Sequence, residues 1–345
     1  MAFERCTLFS ALSSNTTKIS GTFSLVDYRN NLYMSNEASR IFDFYESFPD
    51  SESLIKWMKE RPHGKTTIYE YPGNKDIVVV IPTSNFDGDL AKYSRDVVFK
   101  GLHIIFVESG FPKDNYFNYA YSCNVGIRSA LQLNPKKIVI SNDDMRKIDD
   151  VSTLIYEIEH SNKDAQVIWT EENNFLEHNF DLLVATVLLR LFMKASKILN
   201  IFSKNPKVRT LYLLEKFNIY LTPKYAKSNY NRISKVLYRV IGTYKVAGHF
   251  AIYNSDFIRS QGEMLFDETF INGFEDTWLG INIAIKKIVW DIVNYKISPI
   301  GGASLGKGNL RYLRDFANLA LYNYYVKKNR STISKINPSH EFNEV

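Results

Sequence analysis

The segment Asp76-Ile77-Val78-Val79-Val80-Ile81 constrains this chain more than any other. It is a nearly unbroken β-branched run ended by Pro82. Such a run has no polar face to turn to water, so it predicts a strand covered on both sides, as in a parallel sheet. The next ninety residues keep the same rhythm. A helix-compatible stretch (90–100) leads to a second apolar strand (103–107). A long helix (117–133) leads to a third strand (137–141), and a helix (151–160) to a fourth (165–170). Strands alternating with helices of this length imply right-handed crossovers and an α/β sheet flanked by helices. In such sheets ligands bind beyond the carboxyl ends of the strands. Here those ends read Pro82-Thr83-Ser84, Glu108-Ser109-Gly110 and Asn142-Asp143-Asp144, three segments expected on one rim.

The chain divides into five segments on this reading. Residues 1–75 form an N-terminal extension with helices near 37–48 and from Ser51, the latter opened by Ser51 as N-cap, and a strand over 65–71. Residues 76–170 form the first half of the core. A basic, helix-rich insertion occupies 171–245. Residues 246–304 supply a strand (247–253), a helix (276–286) and a strand (288–297), and 305–345 a terminal helix and tail. With 345 residues, 45% hydrophobic and 23% charged, the composition is that of a folded globular protein. Its two cysteines, Cys6 and Cys123, stand in no metal spacing, so a reducing compartment is expected. The start Met1-Ala2-Phe3-Glu4-Arg5 has no secretory-signal pattern, and no apolar run reaches the roughly 20 residues of a membrane span.

Two acidic constellations carry chemistry. Asp143 and Asp144 end a buried strand, where adjacent carboxylates are costly unless a cation or hydrogen-bond donors meet them. A hard divalent ion such as Mg²⁺ or Mn²⁺ suits them, and a polar turn is the alternative. The second constellation is Phe266-Asp267-Glu268 followed by Glu275-Asp276-Thr277-Trp278. Acids in the first turn of a helix complement its dipole, so Glu275 and Asp276 are either a plain helix start or a catalytic pair with Asp276 as general base. Trp278 offers an apolar platform for a sugar face or a core side chain.

The order of these motifs resembles that of the family 2 inverting glycosyltransferases of GT-A fold. The resemblance runs from Val78-Val79-Val80-Ile81-Pro82-Thr83 through Glu108 and Asn124-Val125-Gly126-Ile127-Arg128-Ser129-Ala130. It continues through Asn142-Asp143-Asp144 at the place of the Asp-x-Asp motif to Phe266-Asp267-Glu268 and Glu275-Asp276. It covers about 76–170 and 246–304, with a weaker echo at 324–329. It implies a metal-dependent transfer of a hexosyl or deoxyhexosyl group from a nucleoside-diphosphate sugar to the hydroxyl of a glycan, glycoprotein or lipid-linked acceptor. Pro82, Thr83 and Glu108 would border base and ribose, and Asn124 and Arg128 the donor side. Asn142 and Asp143 would contact the nucleotide-sugar, and Asp144 would be the main ligand of Mg²⁺ or Mn²⁺. Asp276 would activate the acceptor hydroxyl, with Glu275 beside it and Trp278 on the acceptor side. Two departures stand out: a neutral Asn142 opens the acidic motif, and no histidine follows the last core strand, near 298–302. His249 reads as a packed or hydrogen-bonded residue. The alternative is a catalytically weak protein of the same fold that binds nucleotide-sugar or glycan.

The net charge of +6 hides an asymmetry. Residues 182–245 hold thirteen Lys/Arg and one acid, Glu215. Arg190, Lys194, Lys197 and Lys204 recur at helical spacing among leucines and phenylalanines. Either a peripheral anchor on an anionic membrane or a helical subdomain buried against protein fits that pattern. The expected location is the cytoplasm, with attachment at the inner membrane face as the alternative that the anchor reading adds. No nucleic-acid-binding motif accompanies the charge. Gly301–Gly308, with Lys307, reads as a loop able to close over a diphosphate or as a plain solvated loop.

Overall fold

The computed structural model describes residues 24–110, 114–170, 249–300 and 309–329. The basic insertion, the loop containing Lys307 and Cys6 lie outside the described residues, and so do the expectations attached to them. Among the described residues no helix is long and apolar enough to cross a membrane.

The described chain opens with helices α1 (Leu25–Tyr33), α2 (Ala38–Glu46) and α3 (Ser51–Glu60). Strands β1 (Thr66–Tyr71) and β2 (Asn74–Thr83) come next, then α4 (Asp89–Tyr93), which runs into a π-turn at Ser94–Val98. After these stand β3 (Leu102–Ser109), α5 (Tyr119–Gln132), β4 (Lys137–Ser141), β5 (Met145–Lys147), α6 (Val151–His160) and β6 (Val167–Thr170). The remaining elements are β7 (Phe250–Asn254), α7 (Ser255–Ser260), α8 (Glu275–Ile285), β8 (Trp290–Val293), β9 (Ile297–Pro299) and α9 (Asn309–Lys328).

Seven strands form one sheet in the order β1-β3-β2-β4-β7-β6-β8. The pairings give β2, β3, β4, β6 and β8 one direction, and β1 and β7 the other. The sheet is therefore mostly parallel and mixed α/β, as the apolar runs imply. Side chains alternate across it with the two-residue period of a strand. Val78 and Val80 enter one core with Cys123 and Ile127 of α5 and Leu279 and Ile283 of α8. Ile77, Val79 and Ile81 enter a second core with Ala91, Val98, Leu154 and Ile158. Each fully buried Val or Ile here contributes roughly 1.5–3 kcal/mol.

The sheet crosses the five segments at two points, and one expected strand is split. Strand β1 pairs antiparallel with β3, so the end of the N-terminal extension is an edge of the core sheet. Strand β7, from the second half, lies between β4 and β6 of the first, so the two halves interleave in one sheet. The expected strand over 288–297 is two: β8 pairs with β6, whereas β9 pairs with β5 in a separate two-stranded sheet. One helix start also moves. Asp50, not Ser51, caps α3, accepting from the Ser53 backbone N–H at 2.8 Å.

Helices α1–α3 do not extend the sheet layers. Tyr33, Phe44 and Trp57 pack with Ile271, Trp278, Ile281 and Leu321 in a third core shared with α8 and α9. Helix α8 thus has sheet on one side and helices on the other, which is why its sequence is apolar nearly all round.

Candidate functional site

Strands β2 and β4 pair only as far as Val80 with Ile140, while β2 continues beside β3 to Thr83 opposite Glu108. The carboxyl ends of β2 and β4 therefore part, and the residues just beyond them line the gap. Thr83 Oγ1 donates to Asp143 Oδ2 at 2.7 Å, and Ser94 Oγ donates to the Asp143 carbonyl at 3.1 Å. Burial pushes the Asp143 carboxyl above the usual carboxylate range; the Thr83 hydroxyl opposes the rise and the Asp144 charge adds to it. Glu108 accepts from the Phe86 backbone N–H at 2.7 Å. Pro82, Thr83, Glu108 and the Asn142–Asp144 segment thus share one rim, as expected.

Asp144 is 7% exposed, and its Oδ1 is buried with no hydrogen-bond partner. A buried carboxylate oxygen without a donor is costly, and a bound ion is one way to meet that cost. Among the described residues no three His, Cys, Asp or Glu side chains converge to hold an ion. Mg²⁺ and Mn²⁺ do not require three, since they are commonly held by one or two carboxylates together with substrate phosphates and water. Asp144, with Asp143 beside it, fits that demand.

Asn142 is turned to its neighbours. Its Oδ1 accepts from the Tyr119 hydroxyl at 2.9 Å, and its Nδ2 lies 3.0 Å from His249 Nδ1. His249 is hydrogen-bonded, as the sequence suggests. Tyr119 is the first residue of α5, and its phenol is raised well above the ordinary value. Burial is the main cause, and the charges of Glu275 and Asp276 contribute. The Asn142–Asp144 segment and the loop before Glu275 therefore meet at Tyr119, whose hydroxyl donates to Asn142 and whose backbone N–H donates to Asn272, a residue that sequence reasoning missed. No periodicity or motif marks Tyr119.

Glu275 and Asp276 open α8 after a strained approach: Asn272 has φ +54° and Phe274 φ +71°. Non-glycine residues in this region cost of order 1–3 kcal/mol and persist where their surroundings hold them. Four asparagines do so here. Asn272 Oδ1 accepts from the Tyr119 N–H at 2.8 Å, and Asn118 Nδ2 donates to the Glu268 and Phe270 carbonyls. Asn318 of α9 pairs with both the N–H and the C=O of Ile271. Asn124 Oδ1 accepts from the N–H groups of Leu265 and Phe266, and its Nδ2 donates to the Phe266 carbonyl and to Glu268 Oε1.

Glu275 is buried, and its Oε2 has no hydrogen-bond partner. Burial raises it well above the usual carboxylate range, with the Asp276 charge adding to the rise. Asp276 is half-buried and accepts from the Thr277 N–H. The two adjacent carboxyls thus sit in unlike surroundings, Glu275 buried and Asp276 nearer to solvent.

Three expected site residues stand elsewhere. Asn124 is fully buried and its amide is spent on the 265–268 loop, so it braces that loop and does not line the donor side. Arg128 lies nine residues beyond Tyr119 on α5, about 13 Å along the helix axis at 1.5 Å per residue. It faces Glu268 at 4.0 Å. Trp278 is 9% exposed and packs on Tyr325 with ring centroids 4.9 Å apart, a core position. One edge of it does line a cavity of about 520 Å³, together with Met58, His63, Gln261, Met264 and Lys286. That cavity touches neither Asp144 nor Asp276. Of its two acids, Glu268 is engaged by His63 at 3.2 Å and by Asn124.

Compared with known proteins, the chain matches no model of a protein family, and no curated protein matches it.

Proposed function

We propose that this protein is a metal-dependent inverting glycosyltransferase that moves a sugar from a nucleoside-diphosphate donor to a hydroxyl acceptor, on a GT-A-like core. The observation that carries the reading is the buried, unpartnered Asp144 Oδ1, beside Asp143 and Thr83 at the end of a central strand and linked through Asn142, Tyr119 and Asn272 to the loop before Glu275. Around a donor, Pro82, Thr83 and Glu108 would border the base and ribose, and Asp143 would contact the ribose or sugar. Asp144 would hold Mg²⁺ or Mn²⁺ together with the diphosphate, and the bound ion would neutralise charge on the departing nucleoside diphosphate.

Asp276 takes the acceptor hydroxyl's proton as that oxygen attacks the anomeric carbon from the face opposite the diphosphate. The new glycosidic bond forms as the old C–O bond breaks, and the configuration inverts. Burial raises the Glu275 carboxyl and so disfavours a second negative charge next to the base. The braced 265–274 loop fixes Asp276 before substrate arrives, and such pre-set positioning is a large part of catalytic power.

A thermal-shift screen of nucleoside diphosphates with and without Mn²⁺ tests the reading. One diphosphate is expected to raise Tm in a metal-dependent way, and Asp144→Ala to abolish the rise. No shift with any diphosphate would refute the assignment.

A further inference from the structure

We propose that Asn142 is a bracket and not a metal ligand: its amide ties Tyr119 to His249 and so sets the spacing between Asp144 and the Glu275–Asp276 turn. The use of that spacing rests on the transferase reading; the bracket itself does not.

The β4–β7 register creates the bracket. Ser141 pairs with Phe250, and the next step places Asn142 opposite His249, where the Asn142 N–H donates to the His249 carbonyl at 3.1 Å. The side chains then meet at 3.0 Å, Nδ2 to Nδ1. An amide nitrogen only donates, so His249 Nδ1 accepts and the ring proton sits on Nε2. On the other side Oδ1 takes the Tyr119 hydroxyl at 2.9 Å. Tyr119 in turn is held at its backbone N–H by Asn272, three residues before Glu275. The result is a continuous polar path from the residue two before Asp144 to the residue three before Glu275.

The bracket needs a side chain that donates at one end and accepts at the other. Asparagine does both, while an ionised aspartate only accepts. Aspartate at this position would give His249 Nδ1 no donor and set a third carboxylate beside Asp143 and Asp144. The neutral residue is therefore the chemistry the bracket requires, and Asp144 is left as the principal ligand.

Two measurements test this. Free Mn²⁺ is titrated into the full chain and followed by electron paramagnetic resonance, metal alone being the probe. Asn142→Ala is expected to change Mn²⁺ affinity less than threefold and Asp144→Ala to weaken it more than tenfold; equal losses would overturn the proposal. Independently, ¹⁵N NMR of the wild-type imidazoles at pH 7.5 is expected to show His249 protonated on Nε2 alone. A proton on Nδ1 would overturn the bracket whatever the metal result. A wild-type chain that takes up no Mn²⁺ would count against the transferase reading, and the histidine spectrum would still decide the bracket.

Discussion

Thr83 Oγ1 and Asp143 Oδ2 lie 2.7 Å apart across the gap where β2 and β4 cease to pair. The hydroxyl is the donor, and it opposes the rise that burial imposes on the Asp143 carboxyl. This bond closes the rim between two strand ends that no backbone ladder joins.

Thr83→Val keeps the shape and removes the donor. Hydrogen bonds to charged groups contribute about 1.5–3 kcal/mol, and Asp143 is only half-buried, so a loss of about 1–2 kcal/mol is expected. The loss should be larger at pH 8, where Asp143 is charged, than at pH 4. Urea denaturation at both values checks it; equal losses would mean that the bond does not act on the charged form.

Gly126 explains why a helix of this length carries a glycine in its interior. A Cβ there would lie 2.4 Å from Val80 Cγ1 and 2.8 Å from Val107 Cγ2, so α5 rests directly on β2 and β3. Alanine is the better helix former by about 1 kcal/mol, yet the clash is with two fully buried valines. Gly126→Ala is expected to destabilise by about 1–3 kcal/mol. A variant as stable as wild type in urea would show that the helix can lift without cost.

Asp315 of α9 faces Gly273 in the loop before Asp276; a Cβ on Gly273 would meet Asp315 Oδ1 at 3.1 Å. Burial pushes the Asp315 carboxyl up to about 7 from an ordinary 3.8, against the opposing pull of Arg311, Asn318 and Arg314. The native state then binds this proton more tightly than the unfolded chain. Its contribution is fully present below the unfolded value and is lost as pH rises through about 7, at no more than roughly 1.4 kcal/mol per pH unit. Asp315→Asn removes that dependence. Relative to wild type it should gain about 1–3 kcal/mol between pH 4.5 and pH 8, read from urea midpoints. A constant difference across that range would contradict the assignment of the proton to Asp315.

The elements that announce themselves in the sequence are those whose burial is decided locally. Strand β4 and helix α6 have the bounds their apolar patterns suggest, because each is a clean run closed by polar residues. Helix α1 was not legible: Leu25–Tyr33 has little apolar periodicity and is held by the Ser24–Asp27 capping box and by packing on distant helices. The insertion of β7 between β4 and β6 was not legible either, since pairing partners more than eighty residues apart leave no local mark. At the site, the strand-end residues Thr83, Glu108 and Asp144 followed from the parallel sheet. Asn124 is spent on the 265–268 loop and Arg128 faces Glu268, contacts to other elements that motif order does not encode. Tyr119 and Asn318 matter only through contacts to other elements, which residue type and spacing do not encode.

The most direct test of the central claim tracks donor turnover by proton NMR, with the sugar nucleotide of the diphosphate that stabilises the protein and water as the acceptor. The wild-type enzyme is expected to release a free sugar whose first-formed anomer is inverted relative to the donor. Asp276→Asn is expected to bind the donor but leave it intact. Retention of configuration, or turnover by Asp276→Asn at the wild-type rate, would contradict the account.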